Sequence, residues 1–200
     1  MKILALELST TRGSLAWLDE DAADLSRHWR NDRKNSGAFF ENLADVTRKL
    51  GPPDTIIVGL GPGSYAGTRI AISAAIGLQV SSGARLIGFP SICTMDSDAQ
   101  EYTVIGDARR NSFFFAHVRL NNLVQGPILF SESDLSSKLD TIEIETPVFT
   151  SDPLPQFARA VLGFPSAIVL ARLAREPQRG FSLPLLEPIY LREPHTTMPK

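Results

Sequence analysis

The stretch that decides the fold is Gly61-Pro62-Gly63-Ser64-Tyr65-Ala66-Gly67-Thr68-Arg69. It joins an apolar run, Thr55 to Leu60, to a second one, Ile70 to Val80. Three glycines and a proline so close together rule out continuous helix or ladder and enforce a turn. Beyond the turn, Ala71, Ala74, Ala75 and Leu78 fall on helical spacing, with Gly67 or Thr68 near the cap. Strand, glycine-rich turn and helix in that order place backbone N–H groups where an anion or an acidic partner can sit.

Two phosphate-binding loops can be tried on this turn. A Walker A loop counted from Gly61 puts Ala66 at its second glycine and Gly67 where lysine belongs, and no lysine occurs from Thr55 to Ala84. The dinucleotide fingerprint matches formally as Gly61 to Ala66, but it needs an acidic residue about 20 positions on. From Thr55 to Thr94 the only charged residues are Arg69 and Arg85. Neither loop is supported.

The chain has 200 residues, 43% of them hydrophobic, enough for one large or two small packed domains. A net charge of −2 argues against a free-standing nucleic-acid binder. The adjacent pair Arg109-Arg110, before Phe113 to Phe115, reads as a solvated hairpin turn ahead of an RNA contact. The single cysteine, Cys93, excludes an internal disulfide and a thiolate cluster. Glu7 interrupts the N-terminal apolar run too early for a signal sequence, and no run reaches the roughly 18 residues of a membrane span. A soluble, cytoplasmic protein is expected, with no membrane contact.

The pattern along the chain begins with three strands, Lys2 to Leu8, Gly13 to Leu18 and Ala23 to Arg30, joined by hairpin-length turns. A helix from Ser36 carries Phe39, Leu43, Val46 and Leu50 on one stripe, with Phe40 beside it, until Gly51-Pro52-Pro53 stops it. The strand, glycine turn and apolar helix follow, then a strand at Arg85 to Gly88 and a short helix from Pro90 to near Ala99. After the polar stretch Met95 to Glu101 the pattern restarts. It gives strands at Tyr102 to Ile105 and Ser112 to Leu120, a helix at Ser131 to Leu139, a strand at Pro147 to Phe149, and helices at Leu154 to Leu162 and Ser166 to Arg175. The reading is a mixed α/β protein whose fold is duplicated, with lobes at 1–99 and 100–200 and a reduced second copy.

Several blocks resemble the bacterial TsaB family (older name YeaZ), in order and at similar spacing from Ile3 to Arg192. They are Ile3 to Thr10, Gly59 to Arg69, Gly88-Phe89-Pro90-Ser91, Asp107-Ala108-Arg109-Arg110 and Pro188-Ile189-Tyr190-Leu191-Arg192. The resemblance implies an actin-like, Hsp70-like two-lobed fold, each lobe a mixed sheet with flanking helices. It also implies a part in making threonylcarbamoyladenosine, the modified base beside the anticodon. In that pathway a paralogue, TsaD, carries the metal and transfers the group to tRNA. TsaB serves as its dimerisation partner, and the ATPase TsaE joins the complex, so tRNA is reached only through the complex. This sequence has Glu7 where the family's first strand commonly ends in aspartate, and Asn35 where a histidine often precedes the serine. Ala66 and Thr68 likewise depart from the commoner residues of the glycine turn.

An actin-like phosphotransferase needs a glycine-rich phosphate loop from each lobe. Ser9 to Gly13 offers the first, with Glu7 as a carboxylate for Mg²⁺. After Gly106 only isolated glycines remain, at 126, 163 and 180, so the second loop is missing. The resembling family has been catalogued among metallopeptidases, but His28, His117 and His195 are far apart and form no ligand pair. No catalytic residue and no metal site is therefore expected, nor activity by the chain alone. No cofactor is expected on the isolated chain, with ATP or ADP admitted at a complex interface.

Glu7 and Asp107 each close a strand that opens a lobe. With Arg109 they are candidates for vestigial contacts in an interlobe cleft; a carboxylate bonded to the next turn is the plain alternative. Gly61, Gly63, Ser64, Gly67 and Arg69 are the glycine-turn candidates. From Ile70 to Val80 the only polar side chains are Ser73 and Gln79, more apolar surface than one sheet contact needs. Phe40, Ile70, Ser73 and Gly77 are accordingly the partner-interface candidates, for TsaD or a second copy. The leading function is a non-catalytic scaffold for TsaD; the alternative is an actin-like ATP-dependent small-molecule kinase or ATPase.

Overall fold

The computed structural model describes residues 1–31, 36–176 and 178–192. Ile3–Glu7 (β1), Arg12–Leu18 (β2) and Leu25–Arg30 (β3) form an antiparallel meander. Gly37–Leu50 (α1), Thr55–Gly59 (β4), Tyr65–Ser82 (α2) and Arg85–Phe89 (β5) follow, with β4 parallel to β1 and β5 parallel to β4. The five strands lie in the order β3-β2-β1-β4-β5. The Gly51 N–H closes onto Thr47 O at 3.0 Å, ending α1 where the two prolines forbid its continuation.

The second half repeats this plan. Glu101–Asp107 (β6), Phe113–Arg119 (β7) and Asn122–Phe130 (β8) form another meander, followed by Glu132–Asp140 (α3), Val148–Thr150 (β9), Ala160–Leu162 (β10) and Ala167–Leu173 (α4). This sheet runs β10-β9-β6-β7-β8. In both sheets the first strand of the half is central, flanked by its hairpin partner on one side and a parallel strand on the other. The fold is a duplicated α/β fold of two mixed five-stranded sheets, each with its own helices.

Strand alternation sorts the core into layers. Ile3 and Ala5 of β1 face the second lobe, where Tyr102, Val104, Ala116 and Val118 meet them in a shared central core. Leu4 and Leu6, one residue out of phase, face α1 and α2 and pack with Trp17, Phe39, Val46, Ala71 and Ala75. A smaller core of Ile105, Phe113, Phe115, Leu135 and Leu139 lies under α3. Helix α4 crosses back to pack on β1, β2 and β4, and its first N–H, at Ala167, donates to buried Ser14 Oγ at 3.0 Å.

Two expectations are corrected and one strand is added. The helix expected from Pro90 to Ala99 is a single 3-10 turn, Ser91–Thr94; Met95 is extended and pairs with Pro165. The helix expected over Leu154 to Leu162 is a run of turns ending in β10. Pro153 and Pro155 restrict its start, and pairing of Ala160 to Leu162 with β9 overrides the helical spacing. Strand β8, a stretch to which the sequence reading assigns no element, runs through Gly126-Pro127. It is an edge strand with a register irregularity opposite, where Pro is tolerated, and a Cβ on residue 126 would lie 2.4 Å from Phe115 O.

Candidate functional site

The glycine turn is clasped onto its own lobe. Ser64 N–H donates to Ser9 O at 2.6 Å, and Gly61 N–H to Ser91 Oγ at 2.9 Å, while Ser91 N–H returns a bond to Gly61 O at 2.8 Å. The cap of α2 is Ser64, whose Oγ accepts from Gly67 N at 3.2 Å, not Gly67 or Thr68 as expected from sequence. Glycine is needed because the backbone that follows β1 comes close. A Cβ on residue 63 would stand 2.1 Å from Ser9 O, and one on residue 67 would stand 2.1 Å from Leu8 O. The N–H groups of Gly61, Ser64 and Gly67 already have protein acceptors, whereas those of Gly63, Tyr65 and Ala66 have none among the described residues. Arg69 stacks over the Tyr65 ring and donates to its hydroxyl, and Tyr65 in turn packs on Tyr190 at 5.4 Å.

Glu7 lies beneath this turn, fully buried. Its Oε1 accepts from Ser9 N at 2.7 Å, and Oε2 has no hydrogen-bond partner among the described residues. Burial pushes the Glu7 carboxyl above the usual glutamate range, with the neighbouring Ser9 and Ser91 hydroxyls pulling the other way. Gly59 makes room for it, since a Cβ there would fall 1.8 Å from Glu7 Oε2. Asp107 is placed equivalently in the second lobe: its Oδ1 accepts from Arg109 N at 2.7 Å, and its Oδ2 pairs with Arg109 Nη1 at 3.0 Å. Glu7 is sealed under the turn, whereas Asp107 and Arg109 line a cleft of about 540 Å³ between the lobes.

The hairpin between β6 and β7 occupies the place where the sequence lacks a glycine-rich loop. Arg109, Arg110 and Asn111 take left-handed backbone there, at φ 66°, 55° and 55°. A turn of this kind ordinarily calls on glycine, and three non-glycine residues adopt it in succession.

The outward face of α2 is the other feature. Ala71, Ile72 and Ala75 are buried against the sheet, while Ser73, Ile76, Gly77 and Val80 are exposed, Val80 at 82%. Nothing lies within 4 Å of a Cβ built on Gly77. Phe40 of α1 is also exposed, packed on Phe39 at 4.9 Å, and Ile70 is half-buried on the flank of the α2 core. Ala74, whose spacing suggested the core, is only half-buried. The expected interface residues thus divide into Phe40, Ser73 and Gly77, which face outward, and Ile70, which does not.

Among the described residues no other catalytic or metal-binding group assembles. His28 contacts Ser26 and His117 contacts Glu101 on separate lobes; His195 and Asn35 lie outside the described residues. Burial pushes the Cys93 thiol up to about 12, far from a nucleophile's range. Among the described residues no group of three His, Cys, Asp or Glu is placed to hold a metal ion, and no helix is long and apolar enough to cross a membrane. Sequence reasoning missed Ser91 as the clamp on Gly61 and Ser64 as the cap. Ser91 is 30 positions away and only pairing of β4 with β5 brings it near.

No family model matches the chain. Its sequence is 27% identical over 203 residues to the uncharacterized protein ML0378 of Mycobacterium leprae (strain TN), covering 94% of this chain and 47% of that protein. The chain therefore spans about half the length of the curated relative it matches. Among solved structures, an uncharacterized protein with similarity to peptidase YEAZ from Pseudomonas aeruginosa superposes with a TM-score of 0.76 at 21% identity, over 96% of this chain and 99% of that one. YeaZ from Pseudomonas aeruginosa itself superposes with a TM-score of 0.73 at 19% identity, over 95% and 100%. Across nearly its whole length, the chain is similar in fold to YeaZ from Pseudomonas aeruginosa.

Proposed function

We propose that this chain is a TsaB (YeaZ) protein, a non-catalytic subunit that binds and orders TsaD in the complex that transfers threonylcarbamoyl to the adenosine beside the tRNA anticodon. The sequence blocks from Ile3 to Arg192 and the shared two-lobed fold support the family. The observation that carries the role is the outward face of α2. Ser73 and Gly77 at four-residue spacing form a flat track, and Ile76 and Val80 stand exposed beside it. Small residues at that spacing let a second helix approach closely, and the flanking apolar side chains reward the contact. Arg69 is the one charged side chain of this 18-residue helix.

The glycine turn fits a scaffold better than a phosphotransferase, because three of its amide donors, at Gly61, Ser64 and Gly67, are spent on Ser91, Ser9 and Ser64 and the second lobe offers no glycine-rich loop. In this reading it sets the direction of α2, and a nucleotide, where one is needed, sits at the interface of the complex with TsaE. A second copy of this chain is the competing occupant of the same face. The test is co-purification with tagged TsaD from cytoplasmic extract, followed by tRNA modification with TsaD, TsaE and the threonylcarbamoyl-adenylate donor. Retention of TsaD by the intact chain, and its loss on Ser73→Arg, is the expected result.

A further inference from the structure

The interlobe cleft has the size of a small-molecule site, about 540 Å³. Its floor is apolar, made by Ile92, Met95, Val104 and Phe114. At its N-lobe edge stands Ser9, 1% exposed, whose Oγ has no hydrogen-bond partner among the described residues. The same hydroxyl eases the charge on the Glu7 carboxyl, so what it has left to offer a ligand is an accepting oxygen. On the C-lobe side is Arg110, held by a left-handed turn. Arg109 beside it is paired with Asp107, but the Arg110 guanidinium has no ion pair or hydrogen bond among the described residues.

We propose that this cleft binds a small organic carboxylate with an apolar body. The planar fork of Arg110 takes the carboxylate through two parallel N–H donors, the geometry in which arginine surpasses lysine. The apolar body covers the floor between the lobes. Ser9 Oγ bonds a second polar atom of the ligand, such as an amide. A polyphosphate fits poorly: the Gly61, Ser64 and Gly67 amides are already engaged, and Asp107 and Asp152 line the same cleft as Arg109, Arg110 and Arg192 and offset much of their charge. One negative charge matches the one unpaired guanidinium of the hairpin.

The test is isothermal titration of the full chain with four probes: N-acetylleucine, its neutral twin N-acetylleucinamide, inorganic phosphate and ADP. Saturable binding of N-acetylleucine at or below about 1 mM is expected, with at least about tenfold weaker binding of the amide and of phosphate. Arg110→Asn keeps a residue that tolerates left-handed backbone, so its melting temperature should hold while N-acetylleucine affinity falls about tenfold or more. Ser9→Ala should weaken the same probe without changing its preference over the amide. No saturable binding of N-acetylleucine, equal binding of its amide, an unchanged affinity in Arg110→Asn, or tighter binding of ADP than of the carboxylate would each overturn the assignment.

Discussion

The backbone oxygen of Ser9 fills the space that any side chain on Gly63 would need. A Cβ at residue 63 would lie 2.1 Å from that oxygen, which also accepts the Ser64 N–H at 2.6 Å. The turn's glycine content is therefore explained by the approach of its own lobe. No bound anion is required to account for it.

Gly63→Ala should consequently destabilise the free chain by about 1–3 kcal/mol, because Ser9 must move and the Ser64 bond is strained. Thermal unfolding without any ligand reads this directly. An alanine variant as stable as the parent would mean that the glycine serves something outside the chain.

Glu7 gives a pH signature. Its carboxyl is raised above the ordinary value of 4.5 by burial, so the folded state holds its proton to higher pH than the unfolded state. Its contribution is fully present below about pH 4.5 and is lost as pH rises through the folded-state value. Glu7→Gln, neutral at every pH and still able to accept from Ser9 N, should flatten this decline and melt higher than the parent at about pH 8. Identical slopes of melting temperature against pH in the two proteins would count against a protonated, buried Glu7.

Much of the first lobe was legible because its signals are local. The α1 stripe and the apolar runs of β4 and β5 each declare an element within a dozen residues, with observed bounds one residue away, while the glycine turn is shorter than expected because α2 already starts at Tyr65. The second lobe was less legible where long-range pairing decides. Ala160 to Leu162 become a strand because β9 is available beside them, and β8 tolerates Gly126-Pro127 because it is an edge. At the site, Glu7, Asp107 and Arg109 were named from sequence, but only the fold shows that Glu7 is sealed under the turn while the other two line the cleft. Ser9 and Ser91 lie in stretches the sequence singles out, Ser9 to Gly13 and Gly88 to Ser91, but only the fold shows that they clasp the glycine turn.

The isolated chain should neither turn over ATP nor bind tRNA appreciably at physiological salt. The Gly61, Ser64 and Gly67 amides of the turn are engaged within the protein, and a net charge of −2 supplies no phosphate-neutralising patch. Steady ATP hydrolysis that disappears in Gly63→Ala, or tight salt-sensitive tRNA binding by filter assay, would revive the kinase or a direct RNA-binding reading.

Opposite faces of α2 should respond oppositely to charge. Ser73→Arg places a guanidinium in solvent and should change stability by no more than about 0.5 kcal/mol. Ala75→Arg places it among Leu4, Val46 and Ile56 in the core and should cost more than about 4 kcal/mol, or leave no folded protein. Denaturant melts of the two variants decide this, and comparable stabilities would mean the helix is rotated from the orientation described.

The central claim, that the outward face of α2 docks TsaD, is tested most directly by sedimentation of the Ser73→Arg chain mixed with TsaD. An intact melting transition together with loss of the heterodimer peak is the predicted result, since an unpaired charge cannot be buried in an apolar helix contact without large cost. A Ser73→Arg protein that folds and still co-sediments with TsaD as the parent does would contradict the account and place the contact elsewhere.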